Sequence, residues 1–328
     1  MHIISKILVI TLLIFTTSVA NIKATETINE QKQKAILITG ATTGIGRLAA
    51  ETLAKEGFFV YAGARKQKDL DALNKIKNVQ AIRLDVTIQD EVNAAVETIR
   101  EAGRGLYGLV NNAGVASGGP LIEIDEADVR WLFDVNVFGV LKVTQAFAPL
   151  IINSKGRIVT IGSISGIGTW FGGGDYTMSK HAIEAFSDTL AIEMASFGVQ
   201  VSVIQPGNYN SKISKSAQVR RGELTDEQKK SAYAEYYNER LKATGDRSKY
   251  KEPKEVVTAI KHALFDQSPR LRYMVVPSRG EAKWAIDASI NRLVQRNEQQ
   301  EHAFNRKELI EMLDQAIATE NDKNPKEK

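Results

Sequence analysis

Short apolar runs alternate with longer segments of helical periodicity along most of the chain. The apolar runs predict strands at residues 35–39, 58–62, 79–84, 107–110, 157–161, 199–204 and 272–276. Apolar positions spaced three and four apart predict helices at 46–55, 69–77, 91–102, 127–152, 176–197 and 253–265, the one at 127–152 being open to interruption. Strands that alternate with helices form a parallel sheet covered on both faces. The pattern therefore predicts an α/β fold with a doubly wound parallel sheet of about seven strands.

Two segments depart from this alternation. Residues 208–251 are charged, with helical character between 225 and 243, and we predict that they form a substrate lid. The tyrosines of this segment either contact the substrate or pack within the lid; they are Tyr209, Tyr233, Tyr236, Tyr237 and Tyr250. Beyond residue 277, helices at 280–295 and 306–318 and a polar tail at 321–328 predict a helical C-terminal extension over 278–328.

Residues 1–20 have the pattern of a signal peptide. Lys6 precedes an apolar run at residues 7–15, and the small residues Ser18-Val19-Ala20 fit a cleavage site. The run is short for a membrane span, which needs about 20 apolar residues, but an uncleaved membrane anchor is the alternative. Residues 21–33 are polar and predict a linker. We therefore expect the protein to be exported (periplasmic, secreted or lumenal) or associated with a membrane through its N-terminus.

Composition excludes several classes of site. Apolar residues make up 43% of the chain and charged residues 25%, as in ordinary globular proteins. The net charge of +4 is small for 328 residues and no basic stripe is present, so no nucleic-acid partner is predicted. The absence of cysteine excludes disulfides, zinc–thiolate sites and iron–sulfur clusters. The four histidines lack the spacing of metal ligands, so no metal site is predicted.

A glycine-rich turn joins the first predicted strand to the first predicted helix. Its glycines allow a tight turn and let backbone N–H groups approach a pyrophosphate, which the positive end of the helix dipole also favours. The strand–turn–helix context therefore predicts a Rossmann fold that binds a dinucleotide. The expected contact residues are Gly40, Thr43, Gly44, Ile45 and Gly46.

The end of the second predicted strand indicates which dinucleotide binds. NAD sites usually carry an acidic residue here, which holds the ribose 2′-hydroxyl. This strand instead ends without an acidic residue and is followed by Arg65 and Lys66. Because a guanidinium pairs well with a 2′-phosphate, NADP (NADPH) is predicted over NAD, with Arg65 as the contact residue. The alternative is that both cations are solvated surface residues.

With these features in place, the chain resembles the short-chain dehydrogenase/reductase family over residues 34–277, and within it the NADP-preferring type that includes steroid and retinol dehydrogenases. The spacing of Gly40, Gly44 and Gly46 matches the family's glycine motif. The resemblance implies further cofactor contacts at Asp85, Val86, Asn112, Ala113, Gly114, Pro206, Gly207 and Ser211. Ser211 stands where the family usually has threonine. The resemblance also implies a homo-oligomer that pairs through the helices at 127–152 and 176–197.

The same resemblance gives a catalytic set, which consists of Ser163, Tyr176, Lys180 and Asn136. Tyr176 and Lys180 are four residues apart and share one face of the predicted helix. A free tyrosine has a pKa of about 10, and lowering it by about 3 units takes about 4 kcal/mol. A cation at about 4 Å supplies that much at an effective dielectric of about 20. We therefore expect Lys180 to lower the pKa of Tyr176.

These residues indicate a mechanism of proton transfer. Tyr176 would donate a proton to a carbonyl oxygen in reduction, or accept one from a hydroxyl in oxidation. Ser163 would hydrogen-bond the same oxygen and orient it. By the resemblance, Tyr176 and Lys180 also contact the cofactor, Lys180 at the nicotinamide ribose, and Asn136 anchors a water that links Lys180 to solvent.

The sequence thus predicts an NADP-dependent oxidoreductase that interconverts an alcohol and a carbonyl on a hydrophobic small molecule, by direct hydride transfer. A non-catalytic NADP-binding regulator or scaffold is the alternative, which the intact Ser–Tyr–Lys–Asn set disfavours. A sugar-nucleotide epimerase of the related longer family fits less well, because the glycine spacing differs.

Overall fold

The computed structural model describes residues 33–242 and 246–323 of the chain. Within these ranges, seven parallel strands form one sheet in the order β3-β2-β1-β4-β5-β6-β7. The strands are β1 (Ala35–Ile38), β2 (Phe59–Ala64), β3 (Val79–Arg83), β4 (Gly108–Asn111), β5 (Arg157–Ile161), β6 (Gln200–Pro206) and β7 (Arg272–Val275). The predicted doubly wound sheet is confirmed. The predicted signal peptide or anchor at residues 1–20 lies outside the described residues.

Helices connect the strands and extend the fold beyond β7. Along the described chain they are α1 (Gly44–Lys55), α2 (Gln67–Leu73), α3 (Gln89–Glu101), α4 (Glu126–Phe133), α5 (Gly139–Ser154), α6 (Gly174–Ala195), α7 (Ile213–Arg221), α8 (Asp226–Lys230), α9 (Ala234–Lys242), α10 (Lys254–Phe265), α11 (Arg279–Asn297) and α12 (Arg306–Lys323). A π-helical turn at Asp134–Phe138 joins α4 to α5. This turn is the interruption left open in the helix predicted at 127–152.

The sheet is buried on both faces because successive residues of a strand point to opposite sides. In β1, Ile36 packs with Leu53 of α1 and Ile260 of α10. Its neighbour Leu37 packs on the other face with Phe147 of α5. All five side chains are fully buried. This two-sided burial explains why the strands appear in the sequence as short, continuous apolar runs rather than as alternating patterns.

The strand order reverses direction at β1, which pairs with β2 on one side and β4 on the other. The connections from these strands therefore leave toward opposite sides. Such a switch point opens a crevice at the carboxyl ends of the strands, where ligands bind in open α/β sheets. The glycine-rich turn after β1 and the segments after β4, β5 and β6 all lie at this edge.

The lid differs from the single helix predicted at 225–243. Helix α8 begins with a capping box formed by Thr225 and Gln228. It ends at Lys230, and the backbone of the next residue, Ser231, is extended (φ −70°, ψ 165°). The Ser231 hydroxyl accepts a hydrogen bond from the Tyr233 N–H at 2.9 Å, and the chain turns before α9 begins at Ala234. The Ser231 side chain thus accepts a backbone N–H that would bond to a backbone oxygen in a continuous helix, and this favours the break between α8 and α9.

Two further helices correct the sequence prediction. Helix α7 was not predicted, because its segment is mostly polar and Ala217 is its one apolar residue in the buried core of the described chain. Helix α12 continues to Lys323, beyond the predicted end at 318 and into the predicted polar tail. Two of the five added residues, Glu320 and Lys323, are good helix formers.

One described helix, Glu126–Ser154 taken with its π-helical turn, has the length and composition of a membrane span. Val143, Phe147 and Ile151 of this helix are fully buried. They belong to the apolar core on one face of the sheet. Its apolar character therefore has a structural cause in core packing.

Candidate active site

A cleft of about 1050 Å³ opens at the carboxyl edge of the sheet. Its volume is at the upper end of the range of small-molecule sites. Most of the predicted site residues line it, namely Gly40, Thr43, Gly44, Ile45, Arg65, Asp85, Val86, Asn112, Ala113, Gly114, Ser163, Tyr176, Lys180, Pro206, Gly207 and Ser211. Gly46 and Asn136 are buried and do not line the cleft.

The turn after β1 fits a pyrophosphate. Gly40 has φ +65°, and a Cβ added to it would lie 2.9 Å from Cα of Ala113. Thr43 occupies the N-cap of α1 without a side-chain cap hydrogen bond, and the first turn of α1 contains no acidic residue. The first N–H groups of this helix therefore have no side-chain acceptor at the cap, and they offer the positive end of the helix dipole to an anion.

Gly46 leaves space for the side chain that holds this turn. The Asn112 side chain donates to the backbone oxygens of Thr39 at 2.9 Å and Gly40 at 3.1 Å, which fixes the start of the turn. A Cβ on Gly46 would lie 2.3 Å from Nδ2 of Asn112. A side chain at position 46 would thus displace the amide that holds the turn. The structure places Gly46 as a packing residue of the predicted cofactor site.

Arg65 and Asp85 form a loose ion pair at the carboxyl ends of β2 and β3. Nη1 of Arg65 lies 3.4 Å from Oδ2 of Asp85, and the arginine side chain is 61% exposed. Burial alone would raise the pKa of Asp85, but hydrogen bonds from the amide and hydroxyl of Thr87, together with the charge of Arg65, bring its pKa below the ordinary value. The exposed guanidinium therefore has donors to spare for an anionic group at this end of the cleft.

Tyr176 and Lys180 lie on consecutive turns at the start of α6, as their spacing predicts. Lys180 is 6% exposed, and its Nζ donates a hydrogen bond of 2.8 Å to the backbone oxygen of Ile161, the last residue of β5. The same Nζ lies 5.7 Å from the centroid of the Tyr176 ring. Ser163 follows β5 and hydrogen-bonds Tyr176. The three side chains thus converge on one wall of the cleft.

The pKa predicted for Tyr176 is wrong for the protein alone. Burial raises the pKa of Tyr176 to about 12, although the hydrogen bond with Ser163 and the positive charge of Arg247 act in the opposite direction. Burial also lowers the pKa of Lys180 to about 8, partly offset by Glu184. The physical reason is desolvation, which disfavours the charged form of both groups and which residue spacing does not reveal.

Asn136 lies in the π-helical turn between α4 and α5, and it is 1% exposed. Its Oδ1 accepts the N–H of Val115 at 2.9 Å, and its Nδ2 donates to the oxygen of Val115 at 2.9 Å. Nδ2 also donates to the Ser179 hydroxyl at 3.2 Å. The side chain therefore ties the segment after β4 to α6, one residue before Lys180. This position makes Asn136 a positioning residue in the structure.

Several cleft residues were not predicted from the sequence. Trp170 lies on the loop after β5, with its ring centroid 6.1 Å from that of Tyr176. Trp284 comes from α11 in the C-terminal extension, and it packs so tightly on Gly168 that an added Cβ would lie 2.5 Å from the indole. Trp284 is the one aromatic residue of this helix, and that is the sequence signal that could have found it. It links the extension to the candidate active site.

Comparison with known proteins assigns this chain to a family. A family model described as short chain dehydrogenase matches residues 34–222. Retinol dehydrogenase 16 from Mus musculus is 33% identical over 261 residues, which cover 76% of this chain and 82% of the relative. The mitochondrial D-beta-hydroxybutyrate dehydrogenase of Mus musculus is 34% identical over 261 residues, which cover 73% of this chain and 76% of the relative.

Solved structures agree with these relatives. A short-chain dehydrogenase/reductase from Burkholderia phymatum in complex with NAD superposes with a TM-score of 0.67 at 26% identity, over 84% of this chain and 97% of that one. An actinorhodin polyketide ketoreductase with NADPH gives 0.63 at 26% identity, over 76% and 98%. The protein is thus an oxidoreductase that acts on CH–OH donors or the corresponding carbonyls with a nicotinamide cofactor, and it belongs to the short-chain dehydrogenase/reductase family.

Proposed function

We propose that this protein interconverts an alcohol and a carbonyl with NADP(H), using Tyr176 as the general acid and base. The observation that carries the proposal is the convergence of Ser163, Tyr176 and Lys180 on the cleft that the glycine turn of β1 also lines. A bound nicotinamide supplies or accepts the hydride at the substrate carbon. The residues of the chain then handle the proton at the substrate oxygen.

Each member of the set has a distinct part. A pKa of about 12 keeps the Tyr176 phenol protonated at neutral pH, so it is ready to donate to a carbonyl oxygen. Ser163 orients the same oxygen by a hydrogen bond. Lys180 holds positive charge beside the ring when protonated, which stabilises the phenolate left after proton donation. Asn136 keeps α6 in place through Ser179.

The preference for NADP rests on Arg65. Its exposed guanidinium follows β2, where NAD sites usually carry a carboxylate. The nearest carboxylate, Asp85, accepts two hydrogen bonds from Thr87 and holds Arg65 only at 3.4 Å. A 2′-phosphate therefore finds a guanidinium that retains free donors beyond its loose contact with Asp85.

The cofactor preference is tested by titrating the full chain with NADPH and NADH while following nicotinamide fluorescence. Arg65→Ala should weaken NADPH binding about tenfold or more, through loss of a charged hydrogen bond, with a much smaller effect on NADH. Arg83→Ala is the matched control, because Arg83 is 60% exposed, lies on the neighbouring strand and pairs with Glu91 at 3.0 Å. Equal binding of both nucleotides, or an equal loss in the control, would contradict the assignment.

The proton-transfer role is tested by Tyr176→Phe. This change removes the hydroxyl and keeps the ring, so turnover of any carbonyl substrate found by screening with NADPH should be abolished while NADPH still binds. Tyr107→Phe serves as the control, since Tyr107 lies outside the cleft and stacks on Phe265. Substantial turnover by the Tyr176 variant would refute the proposal.

The substrate proposed here has an apolar body. Apolar side chains at the cleft support this, namely Trp170, Ile213, Ala217 and Trp284. The two relatives named above carry the names of different substrates, retinol and D-beta-hydroxybutyrate, at almost the same identity. Family membership therefore leaves the substrate to be argued from the cleft. Homo-oligomer formation and membrane association stay predictions.

A further inference from the structure

The cleft carries more positive than negative charge. Apart from Arg65 and Asp85, its cations are Lys180, Lys212, Arg240 and Arg247, and its carboxylates are Asp246 and Glu281. Both carboxylates already accept hydrogen bonds from uncharged groups. Glu281 accepts the N–H of Asn208 at 2.8 Å, and Asp246 accepts the amide and hydroxyl of Ser248 at 2.8 and 2.9 Å.

Arg247 is the cation whose surroundings are most informative. Its Nη2 donates to Oδ1 of Asn208 at 2.6 Å, and its Nη1 lies 3.3 Å from the Ser214 hydroxyl. Its guanidinium also lies over the ring of Tyr250, 4.7 Å from the centroid. All three partners are uncharged. Across residues 33–242 and 246–323, no carboxylate lies within ion-pair distance of Arg247.

The guanidinium of Arg247 is also incompletely hydrogen-bonded. Its Nε is buried and has no hydrogen-bond partner in the described chain. Two of the five N–H groups of this guanidinium have acceptors. Arg247 is half-buried and has no counter-charge among the residues that the structure describes, and its unsatisfied buried N–H group calls for an explanation. An anion bound in the cleft would supply acceptors for the Nη N–H groups that remain, because a guanidinium binds a carboxylate through two parallel hydrogen bonds.

Arg247 lines the same cleft as Tyr176, the proposed reaction centre. Its positive charge is among the influences that lower the pKa of Tyr176 against the effect of burial. Asn208, which holds the guanidinium, is itself held by Glu281 of α11. The cation is therefore pre-oriented by two successive contacts, an arrangement that reduces the entropy lost when a ligand binds.

We infer that the substrate carries a carboxylate, which Arg247 binds while the carbonyl lies at Tyr176. The substrate class is then an oxo acid and the corresponding hydroxy acid, with an apolar body against Trp170 and Trp284. This inference rests on the proposed function and deepens it. The same anion chemistry has one other source in the cleft, the pyrophosphate of the cofactor, and the experiment separates the two.

The test compares phenyl-substituted α-, β- and γ-oxo acids with their methyl esters, using the full-length protein and NADPH. The wild-type protein should reduce at least one acid with a kcat/KM about tenfold or more above that of its ester, the gain of one charged pair. Arg247→Met should bring this acid-to-ester ratio close to one, and Arg247→Lys should retain part of it. A wild-type protein that prefers every ester would overturn the inference.

Lys242→Met is the matched control. Lys242 lies on α9 of the lid, is 72% exposed and pairs with Glu239 at 2.6 Å. The Lys242→Met substitution removes one positive charge from the same segment, but Lys242 does not line the cleft. The acid-to-ester ratio of kcat/KM should therefore stay at the wild-type value. The Kd for NADPH is measured on each variant in parallel. Weaker NADPH binding by Arg247→Met with an unchanged acid-to-ester ratio would assign the guanidinium to the pyrophosphate and overturn the inference.

A binding measurement keeps this inference separate from the proposed function. Phenylacetate, benzoate and their methyl esters, which lack the reacting ketone, are titrated into the protein–NADP complex while tryptophan fluorescence is followed. Trp170 and Trp284 line the cleft and report on occupancy. Acid binding that is tighter than ester binding and lost in Arg247→Met would support the inference even if no carbonyl were reduced. Equal binding of acid and ester would refute it, whatever the turnover.

Discussion

We expect Lys180 to destabilise the protein in the absence of nucleotide. Burial lowers the pKa of Lys180 from 10.5 to about 8. Since each pKa unit corresponds to about 1.4 kcal/mol, holding the charged amine in this site costs about 3 kcal/mol at neutral pH. Replacing Lys180 by methionine removes that cost. It also removes the hydrogen bond to the oxygen of Ile161, a loss of about 1 kcal/mol. Lys180→Met should therefore raise the free energy of unfolding by about 2 kcal/mol.

The pH dependence of this gain follows from the sign of the shift. Below pH 8 both the native and the unfolded chain bind the Lys180 proton, so the full cost is present. Between pH 8 and 10.5 the unfolded chain binds the proton and the native chain releases it, so the wild-type protein becomes more stable as pH rises. Above 10.5 both states are neutral. The advantage of Lys180→Met should thus fall steadily between pH 8 and 10.5.

The measurement is chemical denaturation of both proteins without nucleotide, followed by circular dichroism at pH 7 and again near pH 10. Lys307→Met is the control, because Lys307 is 85% exposed and should give neither a gain nor a pH dependence. A Lys180 variant that is less stable than the wild type at pH 7 would refute the reasoning. So would a gain of the same size at both pH values, since packing rather than charge would then explain it.

Two further outcomes follow from the walls of the cleft. Gly40→Ala places a side chain at φ +65° and 2.9 Å from Cα of Ala113. Thermal denaturation should therefore show a free energy of unfolding that is lower by about 1–2 kcal/mol or more. A fluorescence titration should show about tenfold weaker NADPH binding. Trp284→Ala removes an indole from the cleft and with it an apolar contact surface. Steady-state kinetics should show that the KM for apolar carbonyl substrates rises about tenfold or more. The affinity for NADPH should change much less. A change in NADPH affinity as large as that in KM would contradict the place given to Trp284.

The cofactor end of the cleft could be predicted from the sequence because its chemistry constrains the backbone. A pyrophosphate next to a helix N-terminus needs a turn without side chains at particular positions, and Gly40 and Gly44 both adopt positive φ there. The same holds for Tyr176 and Lys180, since a spacing of four places two side chains on one helix face whatever surrounds them. A motif and a spacing both depend on residues that are close together in the chain, so both can be recognised from the sequence.

The electrostatics of that pair could not be predicted in the same way. The spacing gave the neighbour of Tyr176 correctly, but the exposure of Lys180, which is 6%, depends on the residues that cover it. The hydrogen bond from Lys180 to Ile161 crosses from α6 to the end of β5. Desolvation and this contact decide the pKa values, and both arise from tertiary packing. A prediction that weighs charge alone therefore has the wrong sign for Tyr176 in the protein by itself.

The residues around Arg247, where we propose that the substrate carboxylate binds, lie outside the motifs. Asn208 follows β6, Arg247 belongs to the lid and Glu281 to the C-terminal extension, yet hydrogen bonds of 2.6 and 2.8 Å join them. A further contact of 2.9 Å links Arg292 of α11 to His181, the residue after Lys180. The extension is thus tied to both the lid and the catalytic helix. Because these segments carry no part of the glycine turn, the sequence motifs do not reveal them, as expected where function resides in segments grafted on a common fold.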